Sequence, residues 1–139
     1  IPLYEGIIEA RNLVNQPAGE TYPKLLVDHI SSHKWKNFDL HIFDHKALEK
    51  LGCNLLLAVG AGSDYPPYMV VLTPKKSVAG EKYALIGKGV TFDAGGLQIK
   101  PDTAMLDMKC DKSGAAGMIG VAKYLDTLPT LPAHVTIAL

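Results

Sequence analysis

The stretch SGAAGMIG, Ser113 to Gly120, opens a segment of helical character, SGAAGMIGVAKYLDTL, and three of its eight residues are glycine. Each glycine inside a helix costs about 1 kcal/mol relative to alanine. Placing Gly114, Gly117 and Gly120 beside Ala115 therefore implies a helix whose backbone lies unusually close to what it covers, either a sheet or a ligand. The chain must supply a partner for that contact.

The rest of the chain offers strands and helices in alternation. FDLHIF alternates as a strand does, with Leu40 and Ile42 on one side and His41 and Phe43 on the other. Asp44 is placed to cap a short helix, DHKALEKLG, which pairs Leu48 with Leu51 and ends at Gly52. NLLLAVG has no polar face and reads as an interior strand covered on both sides. YMVVLT and KYALIG flank the charged turn PKKSVAGE and read as an antiparallel excursion on the same sheet. Near the start, LYEGIIEARNLVN carries a helical stripe at Leu3, Ile7, Ala10 and Val14 and stops at Asn15-Gln16-Pro17-Ala18-Gly19. A second helix follows, with Thr21 as its cap, Pro23 in its first turn, and Leu26 and Ile30 on one face. This order is that of an α/β domain.

At 139 residues the chain is one domain, long enough to hold a core without staples. The 14 basic and 14 acidic side chains balance, which argues against a nucleic-acid partner held by bulk charge. Cys53 and Cys110 sit in apolar company and read as reduced thiols in a reducing compartment. The apolar run Leu55 to Val59 is too short to cross a bilayer, so a soluble, cytoplasmic protein is expected. The chain begins at Ile1 and stops inside the strand-like HVTIAL, with no turn or polar exit. Residues 1–139 are accordingly expected to be part of a longer polypeptide.

The chemistry concentrates in KGVTFDAGGLQIK and DMKCDKSGAAG, which place Lys88, Asp93, Lys100 and Asp111 in an otherwise apolar neighbourhood. ALIGKG reads as a buried strand opening at glycines, which would carry Lys88 to the end of the sheet, where α/β proteins place ligands. An unpaired lysine there loses its proton, and a neutral amine can bind a cation such as zinc. The plainer alternative is a salt bridge between Lys88 and Asp93, which leaves Lys100 and Asp111 unexplained. Asp93 is followed by Ala94-Gly95-Gly96, a backbone without bulk that permits close approach of a metal or substrate. Asp111 precedes the Gly- and Ala-rich helix and could be only its cap. Two carboxylates and a neutral amine suit a divalent cation but fall short of a complete shell.

Other motifs carry less. VGAGSDY lacks the third glycine of a dinucleotide loop, and Pro66-Pro67 blocks the helix that should follow it. GKGVTFDAGG lacks the Walker spacing. His29 and His33 share a helix face, but without an accompanying acidic base they read as surface histidines, and Cys110 reads as a packing residue.

The segments IGKGVTFDAGGLQIKP and MLDMKCDKSGAAG resemble the active-site region of the leucyl aminopeptidases, cytosolic two-metal exopeptidases of peptidase family M17. ARNLVNQPAGETYP and LGCNLLLAVGAGSDYPPYMVVL extend the resemblance over nearly the whole chain. It implies a zinc-exopeptidase-like catalytic domain, a three-layer α/β/α fold around a mixed, mostly parallel sheet, of which residues 1–139 would be the first part. It also implies two divalent cations, zinc, manganese or magnesium. Lys88 would be the neutral-amine ligand of one, Asp93 a carboxylate near or between both, and Asp111 a further ligand of the Lys88 metal. Lys100 would be the catalytic cation at the scissile carbonyl oxygen, and Met108 would line the pocket for the substrate's first side chain. The activity implied is release of leucine-like N-terminal residues from peptides, in a homo-hexamer.

This chain departs from the family pattern where Ala94 replaces the usual serine and where Lys112-Ser113 replaces a Met-Gly pair. An inward-pointing Lys112 would repel a metal. The family also takes an Asp, a Glu and a catalytic Arg from a segment downstream of the residue matching Leu139, so residues 1–139 alone are expected to be inert. A catalytically impaired relative serving as a binding or regulatory module is the alternative.

Overall fold

In a computed structural model describing residues 1–139, the chain runs α1 (Pro2–Asn15), α2 (Pro23–Ser32), β1 (Phe38–Phe43), α3 (His45–Lys50), α4 (Asn54–Gly60), β2 (Met69–Pro74), β3 (Lys82–Ile86), α5 (Asp102–Met105), α6 (Ser113–Thr127) and β4 (His134–Ala138). A 3-10 turn at Ala18–Glu20 joins the first two helices, and another, Met108–Lys112, leads into α6. The strands form one sheet in the order β1-β2-β4-β3, so the class is mixed α/β as expected.

The expected parallel majority does not hold among these strands: β1–β2 and β2–β4 are antiparallel, and only β3–β4 is parallel. One cause lies in NLLLAVG, which forms α4 rather than an interior strand. Periodicity cannot separate a short apolar strand from a helix, and Leu and Ala favour the helix. None of its residues is fully buried, and Leu55 and Val59 are largely exposed, so the double cover expected of an interior strand is absent. YMVVLT and KYALIG are also not partners. β4 lies between them, with Ile137 opposite Leu72 on one side and Leu85 on the other, because its fully buried Ile137 belongs at the sheet's centre.

The core joins one set of sheet residues, Phe38, Val70, Leu72, Val135 and Ile137, to Leu26, Val27 and Ile30 of α2 and to Ala116, Ile119 and Ala122 of α6. Each large side chain removed from water contributes about 1.5–3 kcal/mol. Helix α1 is present where expected, but its stripe is not its buried face: Leu3 and Ile7 are 50% and 46% exposed, whereas Gly6 and Leu13 are buried. Its rotation follows from Gly6. A Cβ there would lie 2.6 Å from the Gly120 carbonyl oxygen, and one on Gly120 would lie 2.4 Å from that of Gly6. Thus α1 and α6 meet backbone to backbone, and this close approach outweighs the apolar stripe. Gly117 faces open space.

Local signals hold in part. The Asp44 carboxylate accepts from the Ala47 amide at 2.9 Å, and Gly52 takes φ +70°, closing α3. Thr21 does not cap α2: its hydroxyl donates to the Pro17 carbonyl at 3.0 Å, and Tyr22 holds the cap position. His29 in α2 and His33 just past its end, where the backbone is already extended, are not simple surface residues. His29 pairs with Glu9 of α1, which also accepts from Lys123 of α6 at 2.5 Å. His33 lies 3.0 Å from Asp126 of α6. That carboxylate, only 6% exposed, also accepts from the backbone amides of Lys36 and Asn37 and so ties the entry of β1 to the end of α6.

Candidate active site

β3 and β4, joined through α6, form a parallel pair whose C-terminal ends point to one edge of the domain. The Gly87 amide donates to the Ala138 carbonyl at 2.8 Å, extending the ladder by one residue, and the chain then turns against the first turn of α6. Neither side of that junction has room for a side chain. A Cβ on Gly87 would lie 2.7 Å from the Gly114 oxygen, and one on Gly114 would lie 2.8 Å from the Lys88 nitrogen. The Ala115 amide donates to the Lys88 carbonyl at 2.8 Å. The small residues at the start of α6 thereby hold the Lys88 backbone just past the strand end, where α/β folds bind ligands.

From there the Lys88 amine reaches Asp111, with Nζ 2.8 Å from Oδ1. The hydrogen bond to Asp111 holds the amine above the usual lysine range against the opposing effect of burial, and the charge of Asp93 adds to the shift. Lys88 is thus an ammonium paired with Asp111, not with Asp93 as the salt-bridge alternative would have it. Asp93 instead takes Lys100, Nζ to Oδ2 at 3.2 Å, and accepts from the Gly95 amide at 2.9 Å. Those two hydrogen bonds, Lys100's first, hold its carboxyl below the usual range.

The loop between Asp93 and Lys100 is closed by its own backbone. Lys100 N–H donates to the Ala94 carbonyl at 2.9 Å, and Gly95 sits at φ +101° where a Cβ would lie 2.3 Å from the Gln98 oxygen. Gly95 is therefore needed for the turn, and space is left open at Gly96, where nothing lies within 4 Å of an added Cβ. Asp111 is not a helix cap either: α6 has Lys112 at its cap position and no side-chain cap bond.

One oxygen of Asp111, Oδ2, is buried without a hydrogen-bond partner. A buried carboxylate oxygen without a donor is costly, and a divalent cation is a chemically suitable partner for it. Lys88, Asp93 and Asp111 therefore suit such a cation as donors. No three His, Cys, Asp or Glu side chains come together as a metal-binding group.

Lys112 does not face these carboxylates. It is fully buried, and its amine donates to the carbonyls of Gln16 and Lys109, at 2.8 and 2.7 Å, with burial first and then the Lys109 charge lowering its pKa. Met108 is half-buried on the same 3-10 turn. A largely apolar cavity of about 420 Å³ adjoins the site, walled by groups that include Leu26, Val59, Tyr65, Ile86 and Phe92. Of the five expected site residues only Lys88 borders it, and Met108 does not. Tyr22 stacks on Tyr65 at 4.0 Å at this wall. The sequence gives no sign of the cavity, because α4 supplies part of it and that segment reads as a strand.

The catalytic-domain pattern of the cytosol aminopeptidase family matches residues 8–139. The chain belongs to that family. Its cytosol aminopeptidase relatives include a probable cytosol aminopeptidase of Chlamydia muridarum, 42% identical over 137 residues, covering 96% of this chain and 27% of the relative. That of Persephonella marina is 39% identical over 130 residues, covering 92% and 26%. Among solved structures, the bottromycin maturation enzyme BotP in complex with Mn superposes with a TM-score of 0.89 at 38% identity, covering all of this chain and 30% of BotP. The leucine aminopeptidase LAP1 of Caenorhabditis elegans gives 0.87 at 32%, covering 99% and 28%. The chain thus spans between a quarter and a third of the length of these family members. No helix in it is long and apolar enough to cross a membrane.

Proposed function

We propose that the full protein is a metal-dependent aminopeptidase releasing leucine-like N-terminal residues from peptides, and that residues 1–139 form the first part of its catalytic domain. The observation that carries this reading is the convergence of Lys88 on Asp111 and of Lys100 on Asp93, beside a buried and unpartnered Asp111 oxygen. Family membership and the likeness to a Mn-bound enzyme support it.

In this reading Lys88, Asp93 and Asp111 hold two divalent cations, zinc, manganese or magnesium. When bound, such ions supply Lewis acidity toward a peptide carbonyl and a lowered pKa for water. The side chains have separate tasks. Lys88, whose amine now lies 2.8 Å from Asp111, would have to release one Nζ proton to solvent to offer a lone pair to a cation. Asp93 and Asp111 bring the negative charge that makes a site for cations. Lys100, held on the closed 94–100 loop, keeps its proton and faces the negative charge that develops on the carbonyl oxygen, a contribution of about 3 kcal/mol in such sites. Met108 would line the pocket for the first side chain from the turn that carries Asp111, apart from the 420 Å³ cavity, which it does not border. The other ligands and an arginine come from the remainder of the catalytic domain, so residues 1–139 alone are inert, and the whole protein is a cytoplasmic homo-hexamer.

Calorimetric titration of the full chain with Mn²⁺ and Zn²⁺, beside hydrolysis of a leucine anilide, tests this. Metal uptake with turnover is expected, and Lys100→Ala should abolish turnover with metal content nearly unchanged. Indifference to metals and chelators would overturn it, and uptake without turnover would point to a regulatory relative. Lys112 gives that alternative no support, since its amine ends on carbonyl oxygens away from the carboxylates.

A further inference from the structure

Lys112 has a cation's chemistry in a core residue's place. Its side chain is fully buried, no carboxylate lies within ion-pair distance, and its amine ends on two neutral carbonyls, those of Gln16 at 2.8 Å and Lys109 at 2.7 Å. Taking an ammonium out of water is expensive, and an apolar chain of similar length would fill the same space without that cost. Volume alone therefore does not account for this residue. The two hydrogen bonds do.

Those bonds bridge separate parts of the fold. Met108–Lys112 is a single 3-10 turn, an intrinsically weak element, and neither it nor the following α6 has a side-chain cap. Through Lys109 the amine closes the turn on itself, and through Gln16, 96 residues away, it fastens the turn to the end of α1. Helix α1 is in turn locked to α6 at Gly6 and Gly120. On the opposite side, Lys88 is held to the same α6 by the Ala115 amide. Asp111 is the residue next to Lys112, so the two ties together set the 2.8 Å approach of Asp111 to Lys88.

We infer that Lys112 is a positioning residue of this site, anchoring the 108–112 turn to α1 so that Asp111 presents its carboxylate toward Lys88 and a bound cation. The inference rests on the metal-site reading given under Proposed function. It makes Lys112 a support for the site, where the sequence suggests a repelling charge.

The test uses the full chain with Mn²⁺ as the probe, its affinity measured by calorimetry and by the electron paramagnetic resonance spectrum of the bound ion. Lys112→Met keeps most of the volume and removes the donors, whereas Lys112→Gln keeps one donor group. Loss of an outer hydrogen bond to a ligand segment typically weakens metal binding by roughly 10- to 100-fold. A loss of that size is expected for Lys112→Met, with an altered resonance spectrum at temperatures where circular dichroism shows the variant folded, and Lys112→Gln should recover part of it. Wild-type affinity and spectrum in a folded Lys112→Met would overturn the inference and leave the metal-site reading standing. Failure of both variants to fold would assign the amine to core stability and also overturn it. Absence of Mn²⁺ binding by the wild-type protein would overturn both.

Discussion

The Asp126 carboxylate lies 2.7 Å from the backbone nitrogen of Asn37, a residue 89 positions earlier in the chain. It also accepts from the Lys36 amide at 2.9 Å and lies 3.0 Å from the His33 ring, so one buried side chain closes the link between α2 and β1 onto the end of α6. Replacing it strands two backbone donors at once. Asp126→Ala should destabilise the protein by about 2–6 kcal/mol, taking roughly 1–3 kcal/mol for each of the two amides left unsatisfied. Urea denaturation checks this, and a loss below about 1 kcal/mol would show that water reaches those amides.

Gly120→Ala should cost about 1–3 kcal/mol, the usual range for overpacking, even though alanine is the better helix former. The added carbon would meet the Gly6 carbonyl at 2.4 Å, and backbone cannot swing aside as a side chain can. Gly117→Ala is the control, because nothing lies within 4 Å of its added carbon. It should be neutral or slightly stabilising. Equal melting temperatures for the two variants would contradict the backbone contact.

The pairing of Glu9 with Lys123 and His29 makes an acid-sensitive joint between α1, α2 and α6. Burial pushes the Glu9 carboxyl up, but hydrogen bonds from Lys123 and His29 outweigh it and leave the pKa below the ordinary 4.5. A carboxyl depressed on folding contributes stability that is fully present above its unfolded pKa and is lost as pH falls through its folded pKa. Stability measured from pH 6 downward should therefore fall through the region below about 4.5, and Glu9→Gln should flatten that part of the curve. An unchanged slope in the variant would remove Glu9 from the account.

Gly95→Ala should open the 94–100 loop without unfolding the domain. Its φ of +101° is strained for alanine, and the new carbon would lie 2.3 Å from the Gln98 oxygen. The Lys100 amide, now bonded to the Ala94 carbonyl, should then exchange with solvent at least about tenfold faster while the melting temperature stays nearly constant, as expected for a local opening. If the full chain acts as proposed, the same variant should lower turnover and metal affinity together, because the Gly95 amide also supports Asp93.

The charged constellation was legible because charges in an apolar neighbourhood need partners, and Lys88, Asp93, Lys100 and Asp111 do pair in the fold, though in a different combination from the salt bridge weighed in the sequence. Helices α1, α2, α3 and α6 and strands β1 to β4 follow from periodicity and punctuation. The sheet's pairing does not. Whether β4 lies beside β2 depends on contacts distant in sequence, and NLLLAVG satisfies helix and strand patterns equally. The face that α1 buries was misread because apolar side chains mark a stripe, whereas the deciding contact is made by Gly6, which has no side chain to announce it. Lys112 was legible as a departure from the family pattern but not as a buried anchor, since only the fold brings Gln16 to its amine.

The junction between the end of β3 and the first turn of α6 consists of peptide planes in contact, with Gly87 and Gly114 leaving no side chain between them to yield. The Lys88 backbone is consequently pinned to the first turn of α6, and adjustments of fit there have to come from rotamers of its four-carbon arm. Substitutions that tilt α6 anywhere along its length should be felt at the amine tip, so in this domain mechanical integrity and chemical alignment cannot be varied separately.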